Sequence, residues 1–343
     1  MLAANSLPLV ALAFIAPFVV MVAVTPAYLK FLVRRGSVVD DVHKQPPSKV
    51  PSPMGPVIFA AAAIGEVIVY LMSGSLVPLA VLGAAAVAFA VGLYDDLSVL
   101  GGKVKPILLL FAFVPILACL TLQSDLYTSR LVFPILGATG AHFTIYTLLA
   151  VAAFPIVANA FNMMDSFNGE VSGFTILVSL ALIVGMVLRS LDESGFSPVR
   201  LAATLPLLAV SVGFYAFNRY PSRAFDGNSG SLVLGTMFAA LAITSGVEIA
   251  AIIAILPSIL NSFYILASLR GFVERRQMGS RPTYMTPDGM LHASANPTAP
   301  STLVRLVLLP GPLSEKDLVK NILILTSVTC LLSVLTSVLT WVY

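Results

Sequence analysis

Two adjacent carboxylates, Asp95 and Asp96, are the residues of this chain best suited to chemistry. Paired carboxylates at the end of an apolar run can hold Mg²⁺ or take up a proton. Lys105 follows nine residues after Asp96, across a glycine-containing segment that predicts a loop able to fold back. A cation beside two carboxylates suits a magnesium diphosphate. The alternative is a polar cap at a helix end.

A second group of polar residues, Asn159, Asn162, Asp165 and Asn168, has a spacing of three. On a helix this spacing places four oxygen-bearing side chains along one stripe. Amide and carboxylate oxygens suit Mg²⁺ better than zinc or copper. The alternative is a polar seam between packed helices.

Three further features are candidates with simpler alternatives. Segment 225–231, Phe-Asp-Gly-Asn-Ser-Gly-Ser, opens an apolar run, where helix N–H groups favour anions, although an ordinary Ser or Asn cap also explains it. Arginines in the polar segment 270–318 could clamp phosphates, or they could simply mark the cytoplasmic side. Glu66, inside an apolar run, is a functional candidate by default, and a structural role explains it as well.

The elements that position these residues are membrane-spanning helices. Of 343 residues, 58% are apolar and 10% are charged, against about 25% charged in soluble domains. This composition excludes a water-soluble enzyme and a disordered chain. A span needs about 20 apolar residues. On that basis we predict ten helices, at roughly 7–30, 55–73, 76–94, 105–123, 143–162, 171–189, 199–218, 230–246, 248–269 and 320–342.

The charges between the spans orient the bundle. Sixteen of the nineteen Lys and Arg residues fall on one side, and only Arg130, Arg189 and Arg200 fall on the other. Since positive loops stay inside, the first side is cytoplasmic, and an even number of spans puts both termini outside. We therefore expect an all-α integral membrane protein of about ten transmembrane helices. It forms a single polytopic domain over 1–343, with its active site on the cytoplasmic face and a long cytoplasmic loop at about 270–318.

Three motifs together resemble the polyprenyl-phosphate N-acetylhexosamine-1-phosphate transferases. They are GLYDDL at 92–97 with its later lysine, NAFNMMDSFNG at 159–169, and the entry to the eighth span. The resemblance runs from Asp40 to about Lys320. It implies ten spans, a Mg²⁺ cofactor that Mn²⁺ could replace, and transfer of a sugar phosphate from a UDP-sugar to a lipid phosphate with release of UMP.

The last cytoplasmic loop favours one branch of that family. The muramoyl-pentapeptide branch has a His-rich stretch there, whereas this loop has only His292, and 281–291 and 301–318 look like the eukaryotic and archaeal GlcNAc branch. The resemblance therefore implies UDP-GlcNAc and dolichyl phosphate as substrates and the start of lipid-linked glycan assembly in N-glycosylation. The same chemistry with another UDP-sugar or with undecaprenyl phosphate, as in cell-wall precursor synthesis, stays open.

The resemblance also implies catalytic roles. Asp95 matches the carboxylate that deprotonates the lipid phosphate, Asp96 its neighbour in the metal site, and Lys105 the phosphate-binding lysine. Direct attack by the lipid phosphate is favoured, and double displacement through an Asp nucleophile stays open. For the substrates, the implied contacts are Asn168 and Phe225 on uracil, Arg276 and Arg281 on the diphosphate, and Lys44 in the first loop with no assigned role.

The metal ligands include one departure from the family pattern. Asn162 matches a Mg²⁺ ligand, but Asn228 stands where the family has a metal-binding Asp. Phe225 and Gly227 keep the family spacing, so we expect Asn228 to be the ligand through its amide oxygen. Asp226, which could have taken over the charge, is the alternative. An inactive site is disfavoured because the other motif residues remain.

Two other classes of function, a transporter and a structural scaffold, explain the sequence less well. A transporter would place polar residues near the bilayer midplane and often carry an inverted repeat, whereas these motifs collect at one face. A structural scaffold leaves that one-sided clustering unexplained. No nucleic-acid partner is expected, and a homodimer stays open. The expected location is the plasma membrane of a prokaryote, archaeal by the compact chain, with the endoplasmic reticulum membrane as the alternative.

Overall fold

The computed structural model describes residues 7–44, 47–123, 131–139, 143–190, 197–269, 271 and 279–341. Arg276 lies outside the described residues. The α-helices in these ranges are α1 (Leu7–Arg34), α2 (Gly55–Ser73), α3 (Val77–Leu97), α4 (Val104–Leu109), α5 (Phe113–Leu122), α6 (Phe143–Met164), α7 (Glu170–Arg189), α8 (Pro198–Asn218), α9 (Gly227–Ser245), α10 (Glu248–Ala254), α11 (Leu256–Leu269), α12 (Leu303–Val307) and α13 (Glu315–Trp341).

The predicted all-α membrane architecture is confirmed. Within the described ranges, nine helical segments are long and apolar enough to cross a membrane. One of them, Val104–Leu122, consists of α4, a short 3₁₀ turn and α5. The pair α10 and α11 bends by 67° at its break and makes a tenth span if it crosses as one unit. Each of these segments overlaps one of the ten predicted spans.

Helix α9 is the centre of the bundle, and every residue from Ser229 to Ser245 is buried. Small residues let its neighbours approach closely. A Cβ at Gly92 of α3 would lie 2.5 Å from Cα of Ser229, and a Cβ at Gly55 of α2 would lie 2.1 Å from the Ser229 hydroxyl. On the third side, a Cβ at Gly235 would lie 2.9 Å from Cα of Ala158 in α6. Three helices are thus held directly against α9.

Short antiparallel hairpins occupy the connections, where sequence reasoning predicted only loops. The strands are β1 (Val38–Asp41), β2 (Ser48–Pro51), β3 (Val132–Phe133), β4 (Gly137–Ala138), β5 (Thr283–Met285) and β6 (Leu291–Ala293), paired in consecutive twos. Leu291 of β6 also bridges to Leu313, just before α13. The backbone of Phe225, ahead of α9, donates to the carbonyl of Pro51 at 3.0 Å. The first hairpin therefore packs beside the entry to α9.

Candidate active site

Asp95 and Lys105 form a buried ion pair at the end of α3. The Asp95 Oδ2 atom is 2.6 Å from Nζ of Lys105 in α4. The other oxygen, Oδ1, accepts a hydrogen bond from the backbone N–H of Leu100 at 2.7 Å. The chain turns between α3 and α4, where the N–H of Val104 donates to the carbonyl of Gly101. The structure thus brings Lys105 back to the carboxylates, as the intervening glycines predict.

Asp96 faces the N-terminus of α9 and caps it. Its Oδ1 accepts from the backbone N–H of Asn228 at 2.8 Å. Its Oδ2 accepts from the backbone N–H of Ser229 at 2.9 Å and from the Ser229 hydroxyl at 2.6 Å. A carboxylate is well placed there, because the first N–H groups of a helix lack partners and carry partial positive charge. The cap comes from another helix, not from a Ser or Asn of the segment itself.

Asn162 and Asn228 meet above this cap. The Asn162 Nδ2 atom donates to Oδ1 of Asn228 and to Oγ of Ser231, both at 2.8 Å. Two of the predicted metal ligands therefore lie in contact. Their roles as ligands stay predictions.

The predicted single stripe of four polar side chains is wrong. Helix α6 ends at Met164, so the spacing of three no longer aligns the residues beyond it. Asn159 turns its Nδ2 to the carbonyl of Pro155, 2.8 Å away. Asn168 lies in the turn before α7, where Gly169 adopts a φ of +79°. That left-handed residue redirects the chain, and Asn168 joins a separate cluster.

Asp226 is a fully buried carboxylate just before α9. Among the described residues no N–H or hydroxyl group donates to its oxygens, and its polar neighbour is the carboxyl of Asp165. Burial, followed by the neighbouring Asp165, raises the pKa of Asp226 well above its usual range. Asp165 belongs to the group with a spacing of three but is not among the predicted site residues. Its contact with Asp226 could not be read from that spacing.

Asn168 and Lys44 each contact the same two buried carboxylates, Asp41 and Glu315. Asn168 donates through Nδ2 to Oδ2 of Asp41 and through its backbone N–H to Oε1 of Glu315, both at 3.0 Å. Lys44 Nζ lies 2.7 Å from Oε2 of Glu315, 3.2 Å from Oδ2 of Asp41 and 4.0 Å from the ring centre of Tyr220. Sequence reasoning singled out Lys44 and Asn168 but missed both carboxylates.

Arg281 lies at the rim of a cavity of about 740 Å³ between the β1–β2 and β5–β6 hairpins. Lys44 and Tyr284 also line this cavity. The charge of Lys44 is already balanced by Glu315 and Asp41, so Arg281 is the cation that this cavity offers an anionic ligand. Phe225 is half-buried and is held through its backbone. Its N–H donates to the carbonyl of Pro51, and its carbonyl accepts from the N–H of Met54, both at 3.0 Å.

Glu66 lies apart from these residues, inside α2. Its buried carboxylate oxygens have no hydrogen-bond partner among the described residues.

Residues 78–246, from α3 through α9, match the family model described as glycosyl transferase family 4. Over this segment the chain is similar to glycosyl transferase family 4. The matched segment contains the Asp95–Lys105 pair, the Asp96 cap and the Asn162–Asn228 contact. Lys44 and Arg281 lie outside it, so the family match covers only part of the candidate site.

Curated relatives are similar to this chain over a longer stretch than the family model covers. A protein of Dictyostelium discoideum named UDP-N-acetylglucosamine–dolichyl-phosphate N-acetylglucosaminephosphotransferase is 26% identical over 259 residues, 68% of this chain and 62% of the relative. A Sulfolobus acidocaldarius protein provisionally given the same name is 26% identical over 314 residues, 90% of each chain. A phospho-N-acetylmuramoyl-pentapeptide-transferase of Moorella thermoacetica is 32% identical over 155 residues, 43% of this chain and 45% of the relative.

Proposed function

We propose that this protein transfers GlcNAc-1-phosphate from UDP-GlcNAc to dolichyl phosphate or another polyprenyl phosphate, and releases UMP. The observation that carries the proposal is the buried Asp95–Lys105 ion pair beside the Asp96-capped end of α9, inside the segment that matches the family. The Sulfolobus relative, similar over 90% of both chains, is named for this transfer.

The reaction joins two anions. An oxygen of the lipid phosphate attacks the phosphorus that carries GlcNAc, and a new P–O bond forms. The bond from that phosphorus to the bridging oxygen breaks, and UMP leaves with the electron pair. Positive charge at the site lowers the barrier by offsetting the repulsion and the charge that develops on the leaving group. Lys105 supplies one such charge, and the N-terminus of α9 adds a partial one.

Asp95 is the proposed base. In the structure one of its oxygens is held by Lys105, so that oxygen cannot accept a proton without losing the ion pair. We propose that the donor diphosphate draws Lys105 away and frees the Asp95 carboxylate for the lipid phosphate. Binding both substrates beside this pair also supplies orientation, which is a large part of enzymatic rate enhancement.

Asp226, Asn162 and Asn228 carry oxygen atoms of the kind that a divalent cation accepts. We propose Mg²⁺, replaceable by Mn²⁺, held by Asn162, Asn228 and Asp226. The supporting observation is the buried Asp226 carboxyl, which no N–H or hydroxyl group among the described residues contacts and whose polar neighbour is a second carboxyl, Asp165. Such a group is costly without a positive partner. The two amides add neutral oxygens, which Mg²⁺ accepts. When bound, the ion would offset negative charge on the diphosphate.

The proposed orientation places this end of the bundle in the cytoplasm and both termini outside. Its support is the distribution of Lys and Arg, since sixteen of nineteen lie in the connections or at the helix ends on one side. A site on the cytoplasmic face is also accessible to a water-soluble nucleotide sugar in the cytoplasm. The proposed membrane is the plasma membrane of an archaeal cell, with the endoplasmic reticulum as the alternative.

A second donor has support from one observation. The Moorella relative, named for transfer of phospho-N-acetylmuramoyl-pentapeptide, is more identical than the GlcNAc relatives, although over less of the chain. We favour UDP-GlcNAc because the similarity to the Sulfolobus relative covers 90% of each chain, against 43% of this chain for the Moorella relative. The two donors are separated by the assay below.

The deciding assay combines purified protein, Mg²⁺, labelled UDP-GlcNAc and dolichyl phosphate. The expected result is label in an organic-soluble lipid and one UMP released per transfer. UDP-glucose and UDP-muramoyl-pentapeptide should be poor donors, and tunicamycin should inhibit, as the family resemblance implies. Release of UDP in place of UMP would mean that the sugar moves without its phosphate and would refute the proposal.

A further inference from the structure

Glu315, the first residue of α13, joins two segments that are distant in sequence. Its Oε2 atom is 2.7 Å from Lys44 Nζ in the first loop, and its Oε1 atom accepts from the backbone N–H of Asn168 at 3.0 Å. The side chain is buried, and burying a carboxylate is costly unless it is paired and hydrogen-bonded. Both of its oxygens are used, so the residue is built into this cluster.

Asp41, at the end of β1, completes the arrangement. Its Oδ2 accepts from Nδ2 of Asn168 at 3.0 Å and lies 3.2 Å from Lys44 Nζ. Its Oδ1 accepts from the backbone N–H of His43 at 3.2 Å. Lys44 and Asn168 are therefore each held by both carboxylates.

This arrangement fixes which way the Asn168 amide points. An ionised carboxylate only accepts hydrogen bonds, so the Asn168 NH₂ group must face Asp41. The amide oxygen is then turned away from Asp41. Asn168 thus offers a ligand an acceptor of fixed direction.

An acceptor of this kind distinguishes the two common pyrimidines. The N3 atom of uracil carries a hydrogen and donates, whereas N3 of cytosine is an acceptor. A fixed amide oxygen pairs with the first and leaves two acceptors facing each other with the second. A site built to hydrogen-bond one group rejects an analogue that lacks it, because the buried polar atom is left unpaired.

We infer that Glu315 and Asp41 are positioning residues that set the Asn168 amide for the uracil ring of the donor. The inference rests on the proposed function, because the family resemblance assigns Asn168 to uracil. Both carboxylates act through Asn168 and Lys44. Leu313, two residues before Glu315, bridges to Leu291 in the β5–β6 hairpin, so the same anchor also ties down the wall that carries Arg281.

The test compares Glu315→Gln with the wild-type enzyme. A glutamine offers one oxygen and one NH₂, so it turns a donor toward either Lys44 or the Asn168 N–H. The dissociation constant for UMP, measured by calorimetry, should rise about tenfold, the loss expected from one misdirected hydrogen bond. Affinity for CMP should change little, so the preference for UMP shrinks. The KM for UDP-GlcNAc should rise by the same factor, with kcat nearly unchanged.

The matched control is Asp317→Asn, an exposed acidic residue on the same helical turn that contacts Ser314. It should leave both nucleotide affinities unchanged. Unaltered UMP affinity in Glu315→Gln would overturn the inference. So would an equal loss of UMP and CMP binding together with lower kcat and melting temperature, because that pattern marks a purely structural role.

A second variant, Asp41→Asn, keeps the inference testable if Glu315→Gln does not fold. If Glu315→Gln gives no folded protein, Asp41→Asn should show the same narrowed preference for UMP, and an unchanged preference would overturn the inference. A wild-type enzyme that neither binds UMP nor releases it would sink the proposed function as well. A wild-type enzyme that does both, with unaffected variants, would sink this inference alone.

Discussion

The Asp96 carboxylate holds Ser229 twice, through the backbone N–H at 2.9 Å and through the hydroxyl at 2.6 Å. The end of α3 is thereby fixed to the first turn of α9. The family resemblance places Asp96 in the metal site, and the structure gives it a second duty as a helix cap. Both duties use the same two oxygens, so stability and activity should respond together to changes there.

Asp96→Ala should lower the melting temperature as well as the activity. Loss of an N-cap typically costs about 1 kcal/mol, and three donors at the start of α9 lose their acceptor. Thermal unfolding in detergent measures this. Ser229→Ala, which removes only the hydroxyl contact, should be milder. A variant at Asp96 that melts like the wild type would show that the cap does not stabilise the bundle.

Asp95→Asn should lose about 10²–10⁴-fold in turnover, the usual contribution of a general base, while UDP-GlcNAc binding stays largely intact. Lys105→Ala should weaken donor binding as well as rate, since its ammonium group is proposed to move onto the diphosphate. Steady-state kinetics with donor titration separates the two. A nearly wild-type Asp95→Asn enzyme would refute its assignment as the base.

An assay without the lipid substrate distinguishes direct attack by the lipid phosphate from double displacement through an Asp nucleophile. Direct attack predicts no UMP from UDP-GlcNAc until the lipid phosphate is added. A stoichiometric burst of UMP in the absence of lipid would support an Asp nucleophile.

Asn228→Ala should abolish activity, and Asn228→Asp should keep it with a lower Mg²⁺ requirement, because the site gains the charge that the family normally has. Asp226→Ala should be milder. The measurement is activity across a Mg²⁺ titration, with Mn²⁺ binding by electron paramagnetic resonance as an independent readout. The reverse result, an inactive Asp226→Ala and an active Asn228→Ala, would make Asp226 the principal ligand.

Single cysteines test the orientation. A cysteine in the 283–300 region should be labelled by an impermeant reagent only from the cytoplasmic face, and one at 192–196 only from outside, because of the charge asymmetry. Labelling of both from the same face would contradict the ten-span topology.

Gly92→Ala should destabilise the bundle. Its new Cβ would lie 2.5 Å from Cα of Ser229, which α3 can relieve only by moving away from α9. Overpacking of this kind typically costs about 1–3 kcal/mol. The control is Gly101→Ala, whose Cβ would meet its nearest neighbour at 3.8 Å. Equal melting temperatures for the two variants would show that the close approach is not needed.

The spans could be predicted from the sequence because each must present about 20 apolar residues to the bilayer. Their ends at the site could not. Helix α9 begins at Gly227, three residues before its predicted start at 230, since Asp96 from α3 supplies the cap. A cap donated by another helix leaves no local signal.

The site was predictable where its residues are close in sequence. The return of Lys105 to Asp95 follows from a short glycine-containing loop. The contact of Lys44 with Glu315 spans 271 positions, and nothing near either residue indicates it. The prediction that Asn168 lies on one stripe with Asn159 and Asn162 failed for a local reason. The spacing argument assumes a continuous helix, whereas the chain turns at Gly169, which has a positive φ.

The complete burial of Ser229–Ser245 has a consequence for biogenesis. Helix α9 has the lowest hydropathy of the nine candidate spans in the described ranges, and it is the most enclosed by its neighbours. Such a segment gains little free energy from contact with lipid, so its insertion must be stabilised by packing against other helices. During synthesis α9 therefore has to wait in or beside the translocon until α2, α3 and α6 are in place to receive it. Substitutions at Gly55, Gly92 and Gly235, which shape its slot, should reduce the yield of inserted protein before they alter the chemistry.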